Sequence, residues 1–162
     1  MHFYKISRRC DLIRVSFRSA AGCGTVKNLN IENVSASGYR YVGGLVGYVD
    51  EESCVENCSV NGTSSGIVQI TDCYVAGIAG YNEGSISHCT NSASVSGKYR
   101  NGYNAYLSGI AAVNYGHVTM CENRGKIDEG CSGGIVGFNY KNVSECKNYG
   151  DGGNGLVVDL FH

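Results

Sequence analysis

Four stretches of the chain repeat one order of apolar and polar positions. They read GGLVGYVDEESCVENC from Gly43, AGIAGYNEGSISHC from Ala76, SGIAAVNYGHVTMC from Ser108 and GGIVGFNYKNVSEC from Gly133. Each holds an anchor glycine (Gly44, Gly77, Gly109, Gly134) followed by a large aliphatic residue, Leu45, Ile78, Ile110 or Ile135. Val or Ala comes next, then Gly or Ala, then Tyr48, Tyr81, Val113 or Phe138. Each stretch closes on a β-branched residue and, three positions later, a cysteine: Val55/Cys58, Ile86/Cys89, Val118/Cys121 and Val143/Cys146. A partial copy precedes them, in which Gly24–Leu29 lines up with Gly84–Cys89 and Leu29 stands in for the cysteine.

Interior glycines cost a helix about 1 kcal/mol each, so the stretch is expected to be strand, turn, strand. The first strand, Gly44–Tyr48 in the first copy, is apolar on both faces, as suits a strand with partners on either side. Asn82–Gly84, Asn114–Gly116 and Asn139–Lys141 are turn chemistry, because Asn and Gly accept positive φ. An offset of three from Val or Ile to Cys puts the pair on opposite faces of a regular strand. A bend between them would turn both inward. The anchor glycines are spaced 33, 32 and 25 residues apart, so loops vary while the block stays fixed. Such a unit cannot bury its apolar face alone and has to stack on copies of itself. The expected fold is therefore all-β, a parallel β-helix-like solenoid of about four to five coils over residues 22–150. Leu45, Ile78, Ile110 and Ile135 would form one buried row and Cys58, Cys89, Cys121 and Cys146 a second.

Composition supports this and adds boundaries. The chain of 162 residues has 24 Gly and no Pro, and Pro is excluded from paired strand interiors. Residues 1–21 contain no glycine and carry a basic balance, with Lys5, Arg8, Arg9, Arg14 and Arg18 against Asp11. They read as a basic lead-in, disordered or the product of a misplaced start, and residues 151–162 as a tail. The basic, Ser-containing head also has some of the character of a transit peptide, but no apolar core for a secretory signal. No segment has the ~20 apolar residues of a membrane span. A net charge of −1 gives no electrostatic case for nucleic acid.

The segments VGGLVGY (Val42–Tyr48), AGIAGYNEGSISHC (Ala76–Cys89) and SGGIVGFNYKNVSEC (Ser132–Cys146) resemble the GLUG-motif repeats of bacterial surface proteins. The stretch GTVKNLNIENVSASG (Gly24–Gly38) is similar to the segment that often opens such arrays. Repeats of this kind occur in large secreted adhesins and in non-catalytic regions of some immunoglobulin A peptidases. The resemblance implies a β-helix-like fold, an extracellular or cell-surface setting and a longer array of which this chain is a fragment. It supplies no catalytic residue. The copy at Ser108 departs from it, with Ala112-Val113 where Gly-Tyr is usual.

Candidate chemistry is sparse. Stacked in register, the block cysteines would lie at the strand spacing of about 4.8 Å, within reach of a disulfide. Equally, they suit buried thiols acting as small hydrophobes. Leu29 at the same place shows that apolar volume is what the position asks for. Cys10, Cys23, Cys54, Cys73 and Cys131 lie off that row and read as incidental. Cys54, Cys58, His88 and Cys89 follow no recognised zinc spacing, so no metal or other cofactor is expected. No nucleophile elbow, metalloprotease helix or phosphate loop occurs, and the loop acids Asp72, Asp128 and Glu129 have no telling spacing. Tyr39, Tyr41, Tyr99, Tyr103 and Tyr106 fall between blocks and form a candidate ligand surface, since Tyr pairs an apolar face with a polar tip. Tyr48 and Tyr81 sit at the repeat's apolar position and read as structural. The expected function is a non-catalytic extracellular stalk or adhesive segment, with a host-surface protein or glycan as partner. A carbohydrate-binding module using the loop tyrosines and a β-helical glycan-cleaving enzyme are the alternatives.

Overall fold

The computed structural model describes residues 7–9, 24–67, 72–98, 104–128 and 131–152. Among these there is no helix, and every strand pairing is parallel. Each coil visits four sheets in turn, so that the fold is a parallel β-solenoid. Sheet I stacks Thr25–Lys27, Cys54–Glu56, Ser85–Ser87, His117–Thr119 and Asn142–Ser144. Sheet II holds the longest strands, Asn30–Gly38 and Ser59–Ile67, followed by Thr90–Asn91, Ser94–Lys98, Glu122–Asn123 and Lys147–Asn148. Sheet III stacks Tyr41–Gly43, Cys73–Ala76, Ala105–Ser108 and Cys131–Gly133, and sheet IV stacks Val46–Val49, Ala79–Asn82, Ala111–Asn114 and Val136–Asn139. Of the head, Ser7–Arg9 joins sheet II beside Ser35–Ser37. The rest of the head, and the tail beyond Gly152, lie outside the described residues.

The bend between sheets I and II explains the Val-x-x-Cys spacing. The residue before each cysteine, or before Leu29, takes the left-handed conformation: Asn28, Asn57, His88, Met120 and Glu145, at φ 52 to 56°. This single αL residue reverses the alternation, so Val55 and Cys58, Ile86 and Cys89, and Val118 and Cys121 all face the core. Side chains other than Gly pay a cost there; at Asn28, Asn57, His88 and Met120 it is offset because the bend amide donates to the next coil, as in Asn57 N→Ser87 O at 3.1 Å and His88 N→Thr119 O at 3.2 Å.

The strand expected from Gly44 begins instead at Val46, because Gly44-Leu45 is the bend between sheets III and IV. This bend is re-entrant. Seven residues of extended chain would carry Tyr48 roughly 23 Å from Tyr41, yet their ring centroids are 6.4 Å apart. The apex drives Leu45, Ile78, Ile110 and Ile135 into the core, at 8% exposure for the first and 0% for the others. Full burial of such a side chain contributes about 1.5–3 kcal/mol. The anchor glycine is needed for a reason on the far side of the coil. A Cβ at Gly77 would lie 2.1 Å from the Asn91 carboxamide, and one at Gly109 2.4 Å from that of Asn123.

Those asparagines form one of two buried amide rows. Asn91 Nδ2 donates to Asn123 Oδ1, and Asn123 Nδ2 to Asn148 Oδ1, each at 2.8 Å. In the second row Asn82 Nδ2 donates to Asn114 Oδ1 at 2.7 Å and Asn114 Nδ2 to Asn139 Oδ1 at 2.8 Å. The turn asparagines thus do more than accept a turn geometry. They close the turn, as in Gly116 N→Asn114 Oδ1 at 3.2 Å, and also tie coil to coil. Each such bond contributes about 1 kcal/mol net, and an orphaned buried partner costs about 1–3 kcal/mol.

Candidate functional site

Three sets of side chains with chemical capacity run along the coils. The first is the cysteine row. Cys58, Cys89 and Cys121 are buried and Cys146 is partly so, and all four are free thiols. Each donates weakly to a carbonyl two residues earlier, for example Cys89 Sγ→Ser87 O at 3.2 Å. The adjoining Cys89 thiol and burial push the Cys58 thiol up, and the Cys146 and Cys89 thiols with burial do the same at Cys121. The same thiol contacts pull Cys89 and Cys146 down, so it is enclosure in the core that keeps Cys58, Cys89 and Cys121 from acting as nucleophiles. Cys73, read as incidental from sequence, is wholly buried in sheet III, while Cys54 is half-exposed on the outer face of sheet I, 3.4 Å from Thr25 Oγ1. His88 points to solvent and Cys58 and Cys89 to the core. Those residues therefore do not converge, and no group of three or more His, Cys, Asp or Glu among the described residues is placed to hold a metal.

The second set is aromatic. Tyr41 and Tyr106 lie on sheet III strands, where the sequence suggested loops, with Tyr74 in register between them. Tyr39 is half-buried in the bend before Tyr41, and Tyr99 and Tyr103 are outside the described residues. Because the bend after sheet III is re-entrant, the outer faces of sheets III and IV meet, and their aromatics join in one strip. Tyr74 stacks on Tyr106 at 5.2 Å and 15°, Tyr48 on Tyr81 at 5.1 Å and 3°, and Tyr115 on Tyr140 at 4.2 Å and 3°. Tyr41 bridges the two sheets, 5.6 Å from Tyr74 and 5.0 Å from Tyr81, and Phe138 meets Tyr106 edge-on at 4.4 Å. Tyr81 is covered on both sides, by Tyr48 and by Tyr115 at 5.7 Å. The Tyr48 hydroxyl donates to the Glu83 carboxylate, and the Arg40 guanidinium lies 5.1 Å over the Tyr41 ring. Burial, then the Glu83 carboxylate, push Tyr81 up to about 12; burial, then Asp72, raise Tyr74. Most ring faces in the strip are therefore used on one another, and the row ends on Tyr140, which is 51% exposed.

The third set escaped sequence reasoning. At the αL bend a groove of about 200 Å³ runs across the opening coils. One wall carries Asn28, Asn57 and His88, the other Asn30, Ser59 and Thr90, and Leu29 and Cys58 lie between them. Asn57 Nδ2 donates to Asn28 Oδ1 and Ser59 Oγ to Asn30 Oδ1, both at 2.6 Å, so each wall is set by a bond between coils. The usable signal was the pair of outward positions flanking each block cysteine, polar at 57/59 and 88/90.

Residues 38–65 and 70–96 match the family described as the GLUG motif. Those two segments are GLUG repeats. Gly44 and Gly77 anchor the two matched repeats, and the coils carrying Gly109 and Gly134 continue them in the same strand register. No curated protein matches the chain. No solved structure matches it either.

Of the loop acids, Asp72 accepts from the Asn104 amide at 2.7 Å and so ties together the starts of two sheet III strands; Asp128 is exposed and Glu129 is outside the described residues. No helix among the described residues is long and apolar enough to cross a membrane.

Proposed function

We propose that this chain is a non-catalytic repeat segment of a bacterial cell-surface protein, working outside the cell as a stalk or adhesive surface. The observation that carries the reading is how the GLUG coils use their reactive side chains. Amides bond their own counterparts in the next coil and tyrosine rings stack on theirs, in rows that stiffen the solenoid, while the buried thiols donate to backbone carbonyls. Repeats stacked in this way give a long, regular face suited to spacing or adhesion. A sugar-binding role for the tyrosine strip is less favoured, because stacking on a sugar needs an open ring face and neighbouring rings occupy most of those faces.

The test is a glycan array together with hydrolysis and lyase assays on the same sugars. Binding or silence without turnover is the expected result. Turnover of any sugar, lost with a point substitution in the chain, would overturn the reading.

A further inference from the structure

We infer that the groove between Asn28/Asn57/His88 and Asn30/Ser59/Thr90 is a binding site for a neutral saccharide chain. The inference rests on the adhesive reading for its setting and on the groove for its chemistry. Carboxamides and hydroxyls both donate and accept, as sugar hydroxyls do. Asn28, Asn30, Asn57, Ser59 and Thr90 supply such groups on two facing walls, held in place by the bonds between coils.

The surroundings narrow the ligand. An anion calls for guanidinium or ammonium groups, and the lysine beside the groove, Lys27, is held by Glu56 at 2.6 Å. A protein partner calls for aromatic or large apolar anchors, and the groove's apolar lining is limited to Leu29, half-buried, and Cys58, buried, at its floor. Further along the same face of sheet II, Ser35, Thr63 and Ser94 form an exposed row in register. That row extends the hydroxyl surface beyond one sugar ring. The later coils end it: the places of Asn57 and His88 pass to Met120 and Glu145, and those of Ser59 and Thr90 to Glu122 and Lys147.

The test is an NMR titration of the protein with neutral hexasaccharides (β-1,4- and α-1,4-linked glucose, β-1,4-linked mannose) and with the anionic hexamer of galacturonic acid. At least one neutral chain should shift the amides of Asn57, Ser59 and Thr90. Asn57→Gly keeps the αL bend, which Gly adopts freely, and removes the carboxamide; it should weaken binding about tenfold, the loss of one or two hydrogen bonds. Thr90→Val should weaken it by a similar factor. Met120→Gly makes the same backbone change outside the groove and should leave affinity unchanged. No shift with any neutral chain, preference for the galacturonic hexamer, shifts centred on Tyr41, Tyr74 and Tyr81, or equal losses in Asn57→Gly and Met120→Gly would each overturn the inference. Turnover during the titration would tell against the non-catalytic reading alone.

Discussion

The tyrosine flank and the αL corner belong to the same coils and use their side chains in opposite ways. On the flank, Tyr81 lies between Tyr48 and Tyr115, and the Tyr48 hydroxyl is given to Glu83. At the corner, Asn57 and Ser59 each spend one bond on the coil before, and the walls they form still open onto a groove. The more conspicuous residues are thus structural, and the plainer ones are left facing solvent. In a solenoid every outward position recurs at the strand spacing, so side chains that stack well on themselves become part of the scaffold. Side chains too short to stack remain free to meet a ligand.

The comparison is broken most severely by destroying the scaffold both regions share. Ile110→Asp puts a carboxylate where exposure is 0%. It should cost about 4 kcal/mol or more and abolish the cooperative melting transition followed by far-UV circular dichroism. Asn123→Ala removes the middle of a buried amide row and leaves Asn91 Nδ2, Asn148 Oδ1 and the Gly125 amide short of a partner. A loss of about 3 kcal/mol is expected, measured by urea denaturation. Tyr81→Ala takes a half-buried ring out of the strip, and about 1–2 kcal/mol should go with it. Asn57→Gly, at the solvent-facing corner, should change stability by less than about 0.5 kcal/mol.

Alkali sharpens the flank further. Folding raises the Tyr81 phenol above its ordinary value, to about 12. Its contribution is therefore complete below pH 10 and is lost as pH rises from about 10 to 12. Melting temperature should fall across that window, and Tyr81→Phe should flatten the fall. A profile unchanged by that substitution would mean the ring is not sheltered. Thiol labelling read by mass spectrometry should find Cys54 reactive and Cys89 and Cys121 slow, in keeping with their exposures.

Much of the scaffold was legible in the chain. Spacing from Gly44 through Gly134 gave the stacking register, and the aliphatic row followed from it because one apolar position recurs in every copy. The Val-x-x-Cys offset required a bend, and Asn57, His88 and Met120 in αL supply it. What was not legible depends on contacts between faces distant in sequence. Gly77 is small because Asn91 sits across the coil from it, and nothing near Gly77 announces that. Tyr41 and Tyr106 looked like loop residues because the strand starts of sheet III lie outside the repeated block. Their union with Tyr48 and Tyr81 arises only from the re-entrant bend. The groove was hidden for a similar reason: its walls come from alternate residues of separate coils, and Asn, Ser and Thr carry no motif.

The most direct test is hydrogen exchange of the asparagine side-chain amides, followed by NMR on the unmodified protein. The Asn91 and Asn123 NH₂ groups are enclosed between coils and bonded on both sides. They should exchange only with opening of the solenoid, about a thousandfold or more slower than a free amide for a fold of ordinary stability. The exposed Asn28 and Asn57 groups should exchange almost as a free amide does. Rapid exchange at Asn91 and Asn123, or protection at Asn57 equal to theirs, would contradict the division between a paired interior and an open corner.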